Sequence, residues 1–355
     1  MLKILNKKFI FFYNLFYFYR FFFTYVLIGF FSILFEIFIF NILNQFLEKS
    51  LISNLISLIF GIFFAFVLNF FYNFKIHRSR IKVALLYFIV ISLFSWGAQR
   101  IVSLSFDLEK FSYEKTRIIT SFSFFLFAYF LHRKFSFKDY KKLGIAFYLD
   151  NKINFNKIYY QIKNYPDFIH LDIIDNTFSN NKIKNNISLI NKIKDYWPNH
   201  KFHTHIMSKK PSLWLDKVLN ISDIIFIHYE IDENINTLKN RIDSANKIFG
   251  LAVTLKTNPK KILNILRSTK ILLILSVDKP GFSGQDFNIK AFEYINYLNN
   301  LEFRKEFKIC VDGGINDSIS KILKVDSIVS ASSVLNSNYP IDQILQMKSS
   351  SKYGY

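Results

Sequence analysis

Two hydropathy regimes follow one another along the chain. Over roughly the first 140 positions the apolar residues form long runs, near 21–43, 51–71, 83–104 and 117–131, and no run contains a proline. Runs of this kind meet the requirement of about 20 residues for a helix to cross a bilayer, and they predict four transmembrane helices. From Gly144 onward the pattern breaks into short β-rich runs at 145–149, 168–173, 201–206, 223–228, 250–254, 271–277, 307–311 and 327–331. Amphipathic stretches such as 183–195 and 291–299 lie between them. Eight strand–helix units in succession predict a compact (β/α)8 barrel. An open doubly wound sheet is the alternative, but no Gly-rich dinucleotide turn follows the first strand. The expected fold class is multi-domain: an all-α four-helix transmembrane domain over 1–143, then an α/β TIM barrel over 144–355.

Charge gives the first regime an orientation. The net charge is +20, and residues 1–143 hold 18 Lys/Arg against 6 Asp/Glu. Lys3, Lys7, Lys8 and Arg20 precede the first run, Lys75, Arg78, Arg80 and Lys82 separate the second from the third, and Arg133, Lys134, Lys138, Lys141 and Lys142 follow the fourth. The other two loops are mixed, with Glu48 against Lys49, and Asp107, Glu109 and Glu114 against Lys110 and Lys115. The positive-inside rule then puts both termini and the barrel in the cytoplasm, with the chain multi-pass in the inner (cytoplasmic) membrane. The opening segment 1–19 lacks a small-residue cleavage site and reads as an interfacial lead-in, not a removed signal. The second half shows no basic stripe or RNA-binding motif, which excludes nucleic acid as a partner. Cys310 is the single cysteine, so an intrachain disulfide and a cysteine zinc site are excluded. A buried, inert thiol is its expected state. Glu36, Gln99 and Arg100 stand out as polar groups at or near membrane depth.

The apolar half has two hairpins of similar construction. One ends in Asn69-Phe70-Phe71-Tyr72-Asn73-Phe74-Lys75, the other in Tyr129-Phe130-Leu131-His132-Arg133-Lys134-Phe135, and Val26-Leu27-Ile28-Gly29 lies early in the first run. Over about residues 15–140 this arrangement resembles the GtrA-like family of small four-helix membrane proteins. The resemblance implies a role beside cell-surface polysaccharide biosynthesis, with the lipid bilayer, lipid-linked sugars or glycan-assembly enzymes as partners.

Candidate chemistry sits in the second half, where barrel enzymes gather their working groups at the C-terminal ends of strands. His170 and Asp172 are two apart on one predicted strand, and so are His203 and His205 on the next; each pair therefore shares a face. Another strand ends in His228-Tyr229-Glu230, and another in Asp312-Gly313-Gly314. Imidazoles and carboxylates at converging strand ends suit a divalent metal.

The segments His170-Leu171-Asp172-Ile173-Ile174-Asp175, His205-Ile206-Met207, His228-Tyr229-Glu230, Pro280-Gly281-Phe282-Ser283-Gly284-Gln285 and Val311-Asp312-Gly313-Gly314-Ile315 together resemble ribulose-phosphate 3-epimerases across nearly the whole second half. The resemblance implies that His170, Asp172, His205 and Asp312 hold one divalent ion (Zn, Fe or Mn). It also implies that Asp172 and Asp312 are the acid/base pair inverting a carbon beside the carbonyl of a ketose phosphate. An enediolate must form in such a reaction, and a metal stabilises its charge. Phosphate is expected on Gly281, Phe282, Ser283, Gly284, Gly313, Gly314, Ala331 and Ser332, where glycines let backbone N–H groups approach an anion. Several positions depart from the family pattern: Ala146 replaces a serine, His203 an aspartate, Ala331 a glycine and Thr254-Leu255 a polar–proline pair, while Lys279 is inserted before Pro280. The expected activity is thus a membrane-anchored isomerase of a sugar phosphate that need not be ribulose 5-phosphate. The alternatives are an inactive sugar-phosphate-binding barrel that regulates the membrane half, or a transporter with the barrel as accessory.

Overall fold

The computed structural model describes residues 2–47, 50–74, 76, 81–106, 110–111, 113–137, 140–180 and 185–354. Glu48, Lys49, Lys75, Arg78, Arg80, Asp107, Glu109 and Lys138, invoked above for topology, lie outside the described residues. The chain divides into two units, Met1–Asp139 and Tyr140–Tyr355.

The first unit contains α1 (Leu2–Phe46), α2 (Ser50–Leu68), α3 (Ile81–Ser105) and α4 (Tyr113–Leu131), with π-helical turns over Asn69–Asn73 and His132–Ser136 extending α2 and α4. The expected lead-in is not a separate element: α1 is one helix of 45 residues. Three described segments, Tyr19–Phe46, Ile52–Asn73 and Ile81–Ser105, are long and apolar enough to cross a membrane. The fourth helix forms but falls short of that class, because it starts ahead of the apolar run and carries Glu114, Lys115 and Arg117 in its first turns. The unit is built inside out. Phe30, Phe38, Ile59, Phe63, Leu86, Phe94 and Phe122 are exposed, whereas Ser32, Glu36, Ser57, Asn69, Gln99 and Ser121 are buried. That reversal suits a lipid surround, where apolar side chains face the solvent and polar groups must find partners within the bundle.

The polar interior has a centre. Arg117 donates from Nε to Glu36 Oε1 at 2.7 Å and from Nη2 to Glu36 Oε2 at 2.9 Å. Its Nη1 reaches Gln99 Oε1 at 2.5 Å and Ser121 Oγ at 3.1 Å. Glu36 and Gln99 were visible in the sequence; their partner is Arg117, and Arg100 is exposed.

The second unit is a closed barrel of eight parallel strands in chain order. They are β1 (Lys142–Tyr148), β2 (Phe168–Ile174), β3 (Lys201–Met207), β4 (Ile224–His228), β5 (Ile248–Thr254), β6 (Ile271–Leu275), β7 (Lys308–Asp312) and β8 (Ser327–Ser330). The helices are α5 (Phe155–Ile162), α6 (Leu189–Tyr196), α7 (Ser212–Val218), α8 (Ile235–Ser244), α9 (Leu263–Leu266), α10 (Lys290–Asn299), α11 (Asp317–Ile322), α12 (Ser332–Leu335) and α13 (Pro340–Lys348). The first strand begins at Lys142, two residues ahead of Gly144.

Strand alternation sorts the core into two layers. Ile169, Leu171 and Ile173 of β2 join Ile225, Ile227, Leu251 and Val253 in the large cluster shared with the helices. The opposite faces supply Phe168, Phe226, Ala252, Leu273, Cys310 and Val329, which fill the barrel interior. Glycine makes room for the two rings: a Cβ on Gly144 would lie 2.1 Å from Phe168, and one on Gly250 would lie 2.4 Å from Phe226. Cys310 is fully buried there, and burial pushes its thiol up to about 12, as an inert residue requires.

Candidate metal centre and anion cavity

His170 and Asp172 follow Phe168 on the inward face of β2, so each strand step of two carries the side chains further along the barrel interior. Register brings the neighbours alongside: Asp172 pairs with His205 of β3, and Tyr148 of β1 pairs with Asp172. Asp312 closes the group from β7. One ligand atom from each of His170, Asp172, His205 and Asp312 falls within 4.8 Å of all the others, and all four residues are buried. His170 Nε2 lies 3.3 Å from Asp172 Oδ1 and 4.0 Å from Asp312 Oδ2. His205 Nδ1 lies 3.4 Å and 3.8 Å from the same two atoms.

None of these approaches is a hydrogen bond. His170 Nε2, His205 Nδ1 and Asp172 Oδ1 are buried without a hydrogen-bond partner. A buried polar atom left unpaired costs about 1–3 kcal/mol, more if charged, so three of them aimed at one point is an arrangement that a cation would relieve. Two nitrogens and two carboxylate oxygens form a donor set suited to a first-row divalent ion. The residues therefore fit a metal. His203, two residues before His205, is not part of the group; its ring stacks on Phe168 with centroids 4.0 Å apart, and burial holds it neutral.

The two carboxylates have opposite protonation preferences. Burial raises Asp312, the negative charge of Asp172 adds to it, and the group is pushed up to about 7. In the metal-free site burial opposes ionisation of Asp172 too, but charge on the neighbouring His170 outweighs it and holds the carboxyl well below its usual range. Two acids whose environments separate them in this way can divide base and acid roles.

Beside the quartet opens a cavity of about 440 Å³, lined by Asp172 and Asp312 at one side and by the loops after β6, β7 and β8 at the other. All eight residues expected to hold phosphate line it: Gly281, Phe282, Ser283, Gly284, Gly313, Gly314, Ala331 and Ser332. Its described lining contains no Lys or Arg, so an anion there would rest on N–H groups and hydroxyls. Gly314 has φ +66°, and a Cβ would meet Phe287 N at 2.3 Å, so no other residue fits this turn without displacing the neighbouring loop. The loop carrying Gly281 and Gly284 is clamped by Gln285, which receives Lys279 N–H at 3.0 Å and donates to the carbonyls of Lys279 and Phe282 at 2.7 Å each. Lys279 is thus held within a closed turn. Tyr148, Met207, Asp286, Asn316 and Asn336 also line the cavity and were not among the expected residues. Tyr148 had a signal, since it stands two residues beyond Ala146 on the same face of β1.

A sequence model of the ribulose-phosphate 3 epimerase family matches residues 150–335, more than half of the chain. The chain belongs to the ribulose-phosphate 3 epimerase family. A second model, the GtrA/DPMS transmembrane domain, matches residues 24–137, so this member of the family carries a membrane domain ahead of its barrel. Solved structures with similarity to the barrel include the 3-hexulose-6-phosphate synthase from Salmonella typhimurium, at 15% identity and TM-score 0.44, covering 58% of this chain and 96% of that one. KGPDC from Streptococcus mutans matches at 10% identity and TM-score 0.41, covering 59% and 96%. The thiamine phosphate pyrophosphorylase from Pyrococcus furiosus matches at 15% and 0.40, covering 58% and 93%. Similarities at this level carry no functional weight.

Proposed function

We propose that the chain is a membrane-anchored, metal-dependent sugar-phosphate epimerase that inverts C3 of a ketose phosphate and serves cell-surface polysaccharide assembly. The observation that carries the proposal is the convergence of His170, Asp172, His205 and Asp312 within 4.8 Å of one another, with the two carboxylates lining one cavity. Epimerisation needs a base on one face of the carbon and an acid on the other. Asp172 stands on β2 and Asp312 on β7, strands that are not neighbours, which supports an approach to a bound carbon from two sides. In the proposed reaction Asp172 takes the C3 proton, the bond electrons move into the adjacent carbonyl to give an enediolate, and Asp312 returns a proton to the opposite face. A divalent ion held by His170, Asp172, His205 and Asp312 would supply charge stabilisation for the enediolate oxygens. Gly281–Gly284, Gly313, Gly314, Ala331 and Ser332 would anchor the phosphate at the far side of the cavity, which fixes the reacting carbon near the carboxylates.

The basic residues before the first apolar helix, between the second and third, and after the fourth support an orientation with both termini in the cytoplasm of a multi-pass inner-membrane protein, the barrel then facing a cytoplasmic pool of sugar phosphates. The GtrA/DPMS match supports lipid-linked sugars or glycan-assembly enzymes as partners. The test is an interconversion assay of the full-length protein in detergent against a panel of ketose phosphates with a divalent ion present. Formation of a C3 epimer from at least one member is expected; binding without interconversion of any would replace the enzyme with a sugar-phosphate-binding barrel. Reporter fusions after Lys142 test the orientation, and a signal from the non-cytoplasmic side would overturn it.

A further inference from the structure

Behind the quartet runs a second line of buried and part-buried polar groups that the proposed reaction does not use. His205 presents Nδ1 to the carboxylates, and its other nitrogen, Nε2, lies 2.8 Å from Nε2 of His228 on β4. His228 is fully buried, and its Nδ1 lies 3.0 Å from Glu230 Oε2. The second oxygen of Glu230 is in turn saturated with donors: Thr254 N–H at 2.9 Å, Thr254 Oγ1 at 2.8 Å, and the Thr257 hydroxyl.

Proton bookkeeping along this line has two solutions, and a bare ligating nitrogen on His205 selects one of them. Glu230 is held ionised: burial alone would raise it, but the bond from His228 and the threonine donors pull it down to about 2. A carboxylate can only accept, so Nδ1 of His228 must carry hydrogen. The short contact needs one hydrogen between the two Nε2 atoms: either a doubly protonated His228 donates it and His205 carries its own hydrogen on Nδ1, or His205 donates it. Only the second leaves Nδ1 of His205 bare and directed at Asp172 and Asp312, which is the form a metal ligand must have. We infer that Glu230 and His228 are positioning residues that hold His205 in the Nε2–H tautomer, with Nδ1 free to bind the ion. The inference rests on the metal reading of the quartet.

Glu230→Gln is a discriminating substitution. The fixed N–H of Thr254 requires an acceptor at one end of the side chain, so the amide oxygen would settle there and its NH2 would face His228 Nδ1. His228 would then carry its hydrogen on Nε2, His205 would have to accept at Nε2, and the hydrogen of His205 would move to Nδ1, where it blocks ligation. Removal of such supporting partners typically weakens metal binding about 10–100-fold.

The experiment uses full-length protein labelled with 15N-histidine and reconstituted in liposomes. Imidazole tautomers are read by solid-state NMR without metal, His205 being assigned by loss of its signals in His205→Ala, and Zn²⁺ affinity is measured separately by chelator competition in detergent. The expected result is His205 protonated at Nε2 in the wild type, and in Glu230→Gln a hydrogen at Nδ1 with Zn²⁺ affinity lowered about 10–100-fold. Glu230→Asp, which keeps the acceptor charge, should retain the wild-type tautomer. Wild-type His205 protonated at Nδ1 would overturn the inference even if no variant folds, and so would an unchanged tautomer and affinity in Glu230→Gln. Failure of the wild type to bind Zn²⁺ would overturn the metal reading instead, and the tautomer measurement would still decide the line from Glu230 to His205.

Discussion

Each unit buries a cluster of charged and polar side chains, and the two clusters differ in how complete they are. In the helical unit Glu36 and Arg117 neutralise each other through two hydrogen bonds, and Gln99 and Ser121 take up a further donor of Arg117. In the barrel, His170, Asp172, His205 and Asp312 face one another at 3.3–4.0 Å, with His170 Nε2, Asp172 Oδ1 and His205 Nδ1 unpaired. The first cluster is internally complete and can serve as an adhesive between α1, α3 and α4. The second is incomplete without something positive at its centre. Burial alone therefore does not mark a functional group; buried polar atoms that converge and remain unpaired do.

The contrast can be broken by substitution, and the largest effect belongs to the incomplete cluster. Asp172→Asn and Asp312→Asn should each lower C3 interconversion by about 10²–10⁴-fold, the usual worth of a general acid or base, in an assay that also records metal content. Full activity in either would remove the two-carboxylate mechanism. Next, His170→Ala or His205→Ala should strip the divalent ion from purified full-length protein with the fold retained, as elemental analysis beside circular dichroism would record; stoichiometric metal in both variants would defeat the ligand assignment.

The complete cluster should respond in stability and not in metal content. Glu36→Ala leaves the part-buried Arg117 without its carboxylate partner, and breaking a fully buried pair costs about 3–5 kcal/mol, so a loss toward the lower end of that range is expected. The double variant Glu36→Leu with Arg117→Leu should recover most of that loss, since it leaves no charge behind. Thermal unfolding in detergent gives both numbers, and a double variant as unstable as the single one would contradict the adhesive role.

A smaller effect concerns Lys141, which lies buried at the start of the barrel and donates to the carbonyls of Ser320 and Ser351. Burial lowers its ammonium to about 7. Between about pH 7 and the ordinary lysine value near 10.4 the unfolded chain binds more protons than the folded one, so the Lys141 contribution to stability rises with pH across that window and is flat below it. Lys141→Met should show a shallower rise, measured as melting temperature against pH; equal slopes would count against the assignment.

Much of this was legible in the sequence for definite reasons. His170 and Asp172 could be paired because a strand repeats every two residues, and β2 begins at Phe168 as its β-rich run does. Strand ends are where a barrel gathers function, so Asp312 and the glycines after it could be read from position alone. What was not legible depended on long-range contact. Arg117 meets Glu36 across 81 residues, and nothing local to α4 reveals that its basic first turns face a carboxylate on α1. The apolar run of 21–43 gave no sign that α1 extends back to Leu2, since helical continuity into an aromatic, lysine-bearing segment leaves no break to detect. Glu230 was noted only as the end of a strand; its threonine partners lie on and beyond the next one, and only register brings them together.

The central claim is that Asp172 and Asp312 exchange a proton with C3 from two sides. Its most direct test is solvent exchange in D2O with the full-length, metal-loaded protein and the ketose phosphate that it interconverts. Deuterium should enter at C3 of both epimers in the wild type, whereas Asp312→Asn that keeps its metal should exchange at C3 of the starting epimer without forming the other. Inversion that leaves C3 protium in place, or full epimer formation by that variant, would contradict the account.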